Sequence, residues 1–174
     1  NKIPIFIVGK PGCSKSLSVQ LIIKSMKGNN SFKPLFKRFP RLIISSYHGS
    51  STSTSQGVEK VFEQAKRKYE RLSDENKFNI ISMIYFDEIG LTEHSPFNPL
   101  KVIHAHLDEA LDEGKNKIAF VGISNCSLDA SKMNLGMHLS ILEPSEEDTK
   151  ETAFSIVESY DANLANTYKG FYEN

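Results

Sequence analysis

Short apolar runs alternate with longer amphipathic stretches along most of the chain. The apolar runs have the length of β-strands, and the stretches between them carry apolar residues three or four positions apart, as a helix with one buried face requires. This alternation is typical of a parallel sheet covered by helices, so the sequence predicts an α/β fold. The predicted strands are Pro4–Val8, Arg41–Tyr47, Asn79–Phe86, Ile118–Ile123 and His138–Leu142. The predicted helices are Lys15–Met26, Gln56–Leu72, Pro99–Leu111 and Ser145–Tyr160.

Composition and charge narrow the class of protein. The 174 residues are 39% hydrophobic and 24% charged, as expected for one soluble domain with its own core. No apolar run reaches the roughly 18 residues of a membrane span. The net charge is zero, so no nucleic-acid partner is expected. Cys13 and Cys126 have neither a metal-binding nor a disulfide spacing and suit a reducing compartment. The abrupt start on a strand and the end inside a helical pattern suggest a piece of a longer protein.

The first candidate site follows the first predicted strand. The residues expected to contact phosphates there are Gly9, Pro11, Gly12, Cys13, Ser14, Lys15, Ser16 and Leu17, with Lys10 between the first two. Backbone N–H groups and the positive end of a helix dipole meet in such a strand–loop–helix segment, and phosphate oxygens fit there. Lys15 would reach the outer phosphates, and the Ser16 hydroxyl would be a ligand of Mg²⁺. Ser14 replaces the usual glycine, which costs roughly 1 to 2 kcal/mol if the position needs a positive φ.

Two further candidates follow later strands. An apolar strand ends in Asp87 and Glu88, and the carboxyl ends of parallel strands are where ligands bind in such sheets. Asp87 would hold Mg²⁺, and Glu88 would act as the general base toward the attacking water. Asn125 follows the next buried strand and could orient that water, although an asparagine at a strand end is also a common turn former.

Taken together and in this order, the phosphate loop, the acid pair and Asn125 resemble the Walker A, Walker B and sensor 1 elements of AAA+ ATPases. A narrower resemblance is to the mysterin family, giant cytosolic proteins that combine a dynein-like array of AAA+ modules with a RING-type ubiquitin ligase region. It covers about residues 5–144. The matching segments are Val8–Leu17, Tyr47–Gly57 with Val61 and Phe62, Phe86–Leu91 with Ser95, Pro96 and Pro99–Lys101, and Phe120–Asn134.

The resemblance implies an α/β fold of the P-loop NTPase type, a three-layer αβα sandwich with a parallel five-stranded sheet in the AAA+ order. Residues 1–144 would form the nucleotide-binding core, and 145–174 would begin a helical lid. ATP and Mg²⁺ are the implied cofactors, neighbouring AAA+ modules and a protein substrate of the parent are the implied partners, and the implied location is cytoplasmic. Any ubiquitin ligase activity would lie elsewhere in the parent, because two cysteines cannot build the zinc sites of a RING finger.

One position departs from the family pattern. An arginine is expected after Asn134, as an arginine finger toward a neighbouring module, and Leu135 stands there instead. No arginine of this chain follows Arg71. Since an arginine finger can contribute about 10³ to 10⁵ in rate, hydrolysis by the isolated chain should be slow or undetectable. Lys132 could supply a point charge but lacks the planar fork of a guanidinium group.

Three functions therefore stay open at the level of sequence. The chain could be an AAA+ module that binds Mg-ATP and hydrolyses it within its parent. It could instead hold nucleotide as a structural element with little turnover, which the Leu135 position favours and the intact acid pair does not. A P-loop kinase is a third interpretation, against which Glu88 beside Asp87 and the polar Asn125 both count.

Overall fold

The computed structural model describes residues 3–72, 79–111, 118–128 and 136–160. Its strands are β1 (Ile5–Gly9), β2 (Arg41–His48), β3 (Ile80–Asp87), β4 (Ile118–Ser124) and β5 (Met137–Ile141). Its helices are α1 (Lys15–Ser25), α2 (Pro34–Lys37), α3 (Ser55–Glu70), α4 (Pro99–Leu111) and α5 (Glu146–Tyr160), and two 3₁₀ helices span Gly28–Asn30 and Ile89–His94. Every predicted strand and helix is present within one or two residues of its expected bounds. The sequence did not predict α2 and the two 3₁₀ helices, since they are too short to show a hydrophobic period.

The five strands form one sheet in the order β2-β3-β4-β1-β5, and every pairing is parallel. The predicted fold class, a three-layer αβα sandwich around a parallel sheet, is thereby confirmed. Because β1 lies between β4 and β5, the register sets Val8 beside Ser124 and Gly9 beside Ile141. On the other side of β4, the strand β3 ends at Asp87, beside His48 of β2. The carboxyl ends of the strands therefore meet at one edge of the sheet.

Helices α3 and α4 cover one face of the sheet and α1 covers the other. Helix α3 begins after Thr54, whose hydroxyl oxygen accepts a hydrogen bond from the Gly57 amide at 3.0 Å and so caps the helix. Its apolar residues recur three or four positions apart and face the sheet. The buried members of that stripe are Val58, Val61, Phe62 and Ala65.

The chain divides into two compact units, one ending at Ile141 and the other beginning at Leu142. In the second unit Ser145 and Asp148 cap α5 reciprocally. The Asp148 amide donates to the Ser145 hydroxyl at 3.0 Å, and the Ser145 amide donates to the Asp148 carboxylate at 3.0 Å. The assignment of 145–174 as the start of a lid stays a prediction. No helix within the described ranges is long and apolar enough to cross a membrane.

Candidate functional site

The loop between β1 and α1 turns sharply with the help of two positive φ angles. Gly12 has φ 87° and Ser14 has φ 54°, so the position where serine replaces the usual glycine is in the left-handed region. A Cβ atom at Gly9 would lie 2.8 Å from the Ile141 carbonyl oxygen, so glycine there lets β1 approach β5 closely. The loop leads directly into α1 at Lys15. The backbone amides of the loop and of the first turn of α1 are therefore gathered at the edge of the sheet.

The Lys15 side chain crosses the inside of this loop. It is only 7% exposed, and its ammonium group donates hydrogen bonds to the carbonyl oxygens of Gly9 and Lys10, both at 2.7 Å. No carboxylate is recorded within ion-pair distance of this ammonium group among the described residues. A largely buried positive charge at the N-terminus of a helix makes the loop attractive to an anion.

Ser16 and Asp87 come together from α1 and β3. The Ser16 hydroxyl donates to Asp87 Oδ1 at 3.1 Å, and the Glu88 amide donates to the same oxygen at 3.2 Å. A hydroxyl and a carboxylate oxygen are donors that suit Mg²⁺, which is usually held by one or two protein oxygens together with phosphates and water. Within the described ranges no group of three or more His, Cys, Asp or Glu could hold a metal ion without such help. The donor set thus fits Mg²⁺ bound together with a phosphate ligand.

Glu88 and Asn125 form the second contact at this edge. The Asn125 side-chain amide donates to Glu88 Oε1 at 2.6 Å and to Glu88 Oε2 at 2.8 Å, so both carboxylate oxygens are engaged. Neighbouring strands β3 and β4 end beside each other, which is why residues 37 positions apart can meet. Glu88 has φ 54° and ψ 41°, a left-handed conformation that turns the chain from β3 into the following 3₁₀ helix.

Gly49 supports this turn and was not recognised from the sequence. Its amide donates to the Asp87 carbonyl oxygen at 2.8 Å, which joins the end of β2 to the end of β3. A Cβ atom at Gly49 would overlap the Glu88 carbonyl oxygen. Only glycine therefore allows β2 to end so close to the acid pair. The signal available in the sequence was a glycine directly after the second strand, which reads equally well as an ordinary loop residue.

Tyr85 is the other residue that sequence reasoning missed. It lies two positions before Asp87 on β3, so the two side chains share a face of the sheet. Burial raises the pKa of the Tyr85 phenol, whose polar neighbours are Ser16, Asp87 and Gln20. These three side chains lie close enough to the hydroxyl to affect its pKa as hydrogen-bonding groups, but none of them meets the distance and angle of a good hydrogen bond with it. A tyrosine at the period-two position before the acids was the signal in the sequence.

The other expected phosphate contacts are more exposed. Pro11 and Gly12 lie at the exposed outer turn of the loop, Cys13 is half-buried, and Leu17 is 55% exposed on α1, so its side chain is turned to the surface. Lys132 and Leu135 lie outside the described residues, so the expectations concerning them stay predictions.

The strand order, the loop before α1 and the acids that end β3 together define a P-loop αβα domain of the AAA+ type. A family model described as the RNF213 AAA domain matches residues 1–148. The chain therefore belongs to the RNF213 AAA domain family, and the resemblance to the mysterin family is thereby confirmed.

Curated relatives agree with this family. The chain is 39% identical over 163 residues to "E3 ubiquitin-protein ligase rnf213-beta" of Danio rerio, which covers 91% of this chain and 3% of the relative. It is 36% identical over 182 residues to "E3 ubiquitin-protein ligase RNF213" of Homo sapiens, covering 97% of this chain and 3% of the relative. The chain thus spans only a small part of the length of these relatives.

Two solved structures share the fold. The structure of PCH-2 from C. elegans aligns with a TM-score of 0.56 and 17% identity, covering 94% of this chain and 40% of that one. The ORC2 protein of Aeropyrum pernix, described in ADPNP and ADP complexes, aligns with a TM-score of 0.59 and 10% identity, covering 90% and 45%. At these identities the likeness concerns the fold alone.

Proposed function

We propose that this chain is an AAA+ module that binds Mg-ATP and hydrolyses it within a longer parent protein. The observation that carries the proposal is the contact between Ser16 and Asp87 at the carboxyl edge of the sheet, directly after the buried Lys15 of the loop. The Lys15 ammonium group is largely buried inside the loop before α1, and the next residue, Ser16, joins Asp87 in a hydroxyl–carboxylate pair. Phosphate charge and a hard divalent cation are the ligands for which this combination is suited.

Each of these residues would bind a different part of Mg-ATP, according to its chemistry. The amides from Gly9 to Ser16 would hold the phosphate oxygens, and Lys15 would exchange its two carbonyl partners for the outer phosphates. Ser16 and Asp87 would hold Mg²⁺, which supplies positive charge that offsets the charge of the phosphates. Cys13, Pro11 and the Leu17 backbone would line the loop around them.

Hydrolysis needs a base beside the terminal phosphate. Glu88 would take a proton from the attacking water as the water oxygen bonds to the terminal phosphorus and ADP leaves. Asn125 holds both oxygens of that carboxylate, so it fixes where the base stands. Since no arginine follows Arg71 in this sequence, we propose that a neighbouring module supplies the arginine finger for this site.

A nucleotide-holding module with little turnover is the second candidate, and the Asn125 contact favours it. While both oxygens of Glu88 accept hydrogen bonds from Asn125, the carboxylate is less available to a water molecule. A module that stayed in this arrangement would keep ATP bound without hydrolysing it and would stabilise the neighbouring modules. Comparing the rate of nucleotide exchange with the rate of phosphate release in the parent protein separates the two candidates.

The proposal also concerns the longer parent protein. The relatives are named as ubiquitin ligases, so we propose that the parent ligates ubiquitin in another part of its length and that this module acts on neighbouring AAA+ modules in the cytoplasm. A protein substrate of the parent is the further partner that this arrangement implies.

The hydrolytic role is tested by Glu88→Gln in the parent protein. Because glutamine cannot accept the proton, the module should keep bound ATP after repeated washing and the part of phosphate release that depends on this module should disappear. Glu70→Gln, an equal change of charge at an exposed position on α3, is the control and should behave as the unaltered protein. Unchanged phosphate release and unchanged ATP retention in Glu88→Gln would remove Glu88 from the mechanism.

A further inference from the structure

The Tyr85 hydroxyl is a buried polar atom that makes no hydrogen bond of good geometry among the described residues, although the side chains of Ser16, Asp87 and Gln20 lie near it. The residue is 7% exposed. Its ring packs in the apolar cluster between α1 and the sheet, with Val19 and Ile123. A phenylalanine would fill the same space without burying an oxygen, and buried hydroxyl groups in native proteins nearly always have a partner. The hydroxyl therefore needs an explanation that packing does not supply.

The position of Tyr85 on β3 supplies such an explanation. Side chains alternate across a strand, so Tyr85 and Asp87 point to the same face of β3, the face that α1 covers. Ser16 donates to Asp87 on that face, and Gln20 lies one helical turn beyond Ser16. These three side chains are the polar neighbours of the phenol. The hydroxyl group is thus turned from the apolar cluster toward the proposed cation site.

We propose that Tyr85 is a positioning residue for Mg²⁺, its hydroxyl forming a hydrogen bond with a water of the hydrated ion held by Ser16 and Asp87. The inference rests on the proposed nucleotide function and deepens it. Mg²⁺ gives up its waters reluctantly and keeps several of them in proteins, and those waters need partners for their protons. The phenol oxygen can accept a hydrogen bond from such a water, and the phenol O–H can donate one. A single buried side chain can therefore hold a water that Asp87 alone does not hold.

The test compares the affinity for ATP in Mg²⁺ with the affinity in EDTA, measured by calorimetry on the 174-residue chain. The informative quantity is the gain in affinity that Mg²⁺ gives. Tyr85→Phe should reduce this gain about 2- to 10-fold, the change that one hydrogen bond of ordinary net strength corresponds to. Its affinity in EDTA should equal that of the unaltered chain. Its melting temperature should not fall, since the substitution removes a buried oxygen that makes no hydrogen bond of good geometry.

Tyr47→Phe is the matched control. Tyr47 packs against Phe86 on the opposite face of the sheet, with ring centroids 4.8 Å apart. The same loss of a hydroxyl there should leave the Mg²⁺ gain unchanged.

Three results would overturn the inference. A full Mg²⁺ gain in Tyr85→Phe would show that the hydroxyl does not serve the ion. Equal weakening in Mg²⁺ and in EDTA would assign Tyr85 a structural role instead. An unaltered chain that binds ATP equally with and without Mg²⁺ would remove the proposed cation site together with the role of Tyr85, whereas the first two results leave the proposed function standing.

Discussion

The two faces of the sheet differ in how completely apolar side chains cover them. The face under α3 and α4 carries a large buried cluster, whose members are Phe6, Val58, Val61, Phe62, Ala65, Ile84, Phe86, Ile89, Ile103, Leu107, Ile118, Phe120 and Leu128. The buried cluster on the face under α1 contains Val19, Tyr85 and Ile123. On α1 itself, Leu17 and Leu21 are each 55% exposed. One face therefore resembles the core of an ordinary domain, and the other does not.

The difference follows from what each face has to hold. The cluster under α3 and α4 is closed by aromatic rings in mutual contact, such as Phe6 with Phe120 at 5.8 Å and Phe86 with Phe120 at 6.3 Å between centroids. The face under α1 ends instead in the pair of Ser16 and Asp87, with the Tyr85 hydroxyl beside them. We infer that the first face supplies most of the stability of the domain. The second face has less apolar packing because polar groups occupy its end at the edge of the sheet.

The largest effect on stability should come from the first face. Phe120 is 3% exposed and its ring contacts Phe6, Phe62 and Phe86. Phe120→Ala should lower the free energy of unfolding by about 3 to 5 kcal/mol, because it removes buried apolar surface and leaves a cavity. Urea unfolding followed by circular dichroism measures this. A loss below about 1.5 kcal/mol, the range of mild core substitutions, would contradict the inference that this face supplies most of the stability.

A smaller change of opposite sign should come from the phosphate loop. Ser14 has φ 54°, which a residue with a Cβ atom adopts only at a cost. Ser14→Gly relieves that cost but gives the unfolded chain more freedom, so the net gain in the free energy of unfolding should be about 0.5 to 1 kcal/mol. Ser18→Gly, an exposed position inside α1 with ordinary helical geometry, should instead lose about 0.5 to 1 kcal/mol. A loss of stability in Ser14→Gly would mean that the loop is not strained at this position.

The sequence predicted the sheet well because its central strands are buried runs of apolar residues. Ile84, Phe86 and Phe120 mark strands by hydrophobicity alone, and the helix α3 shows a clear period. The strand order followed from the resemblance to a family, since no local pattern says that β1 lies between β4 and β5. Short elements such as α2 carry too few residues to show a period.

The candidate site was predictable only in part, for a physical reason. Residue types and spacing suggested Lys15, Ser16, Asp87 and Glu88, because their chemistry is visible in the sequence. The bidentate contact of Asn125 with Glu88 depends on how β3 and β4 end beside each other, which spacing along the chain does not specify. The Tyr85 hydroxyl could be recognised as unpaired only once its surroundings were known. The roles of all these residues toward nucleotide stay predictions.

The central claim is that the loop from Gly9 to Ser16 binds the phosphates of Mg-ATP, and calorimetric titration with ATP in the presence of Mg²⁺ tests it most directly. The unaltered chain should bind, and Lys15→Ala should weaken binding about 100-fold or more, which corresponds to about 2.7 kcal/mol. Lys24→Ala, which removes an exposed lysine from the last turn of the same helix, should bind as the unaltered chain does. Equal affinity in the Lys15→Ala and unaltered chains, or no binding by the unaltered chain, would contradict the account.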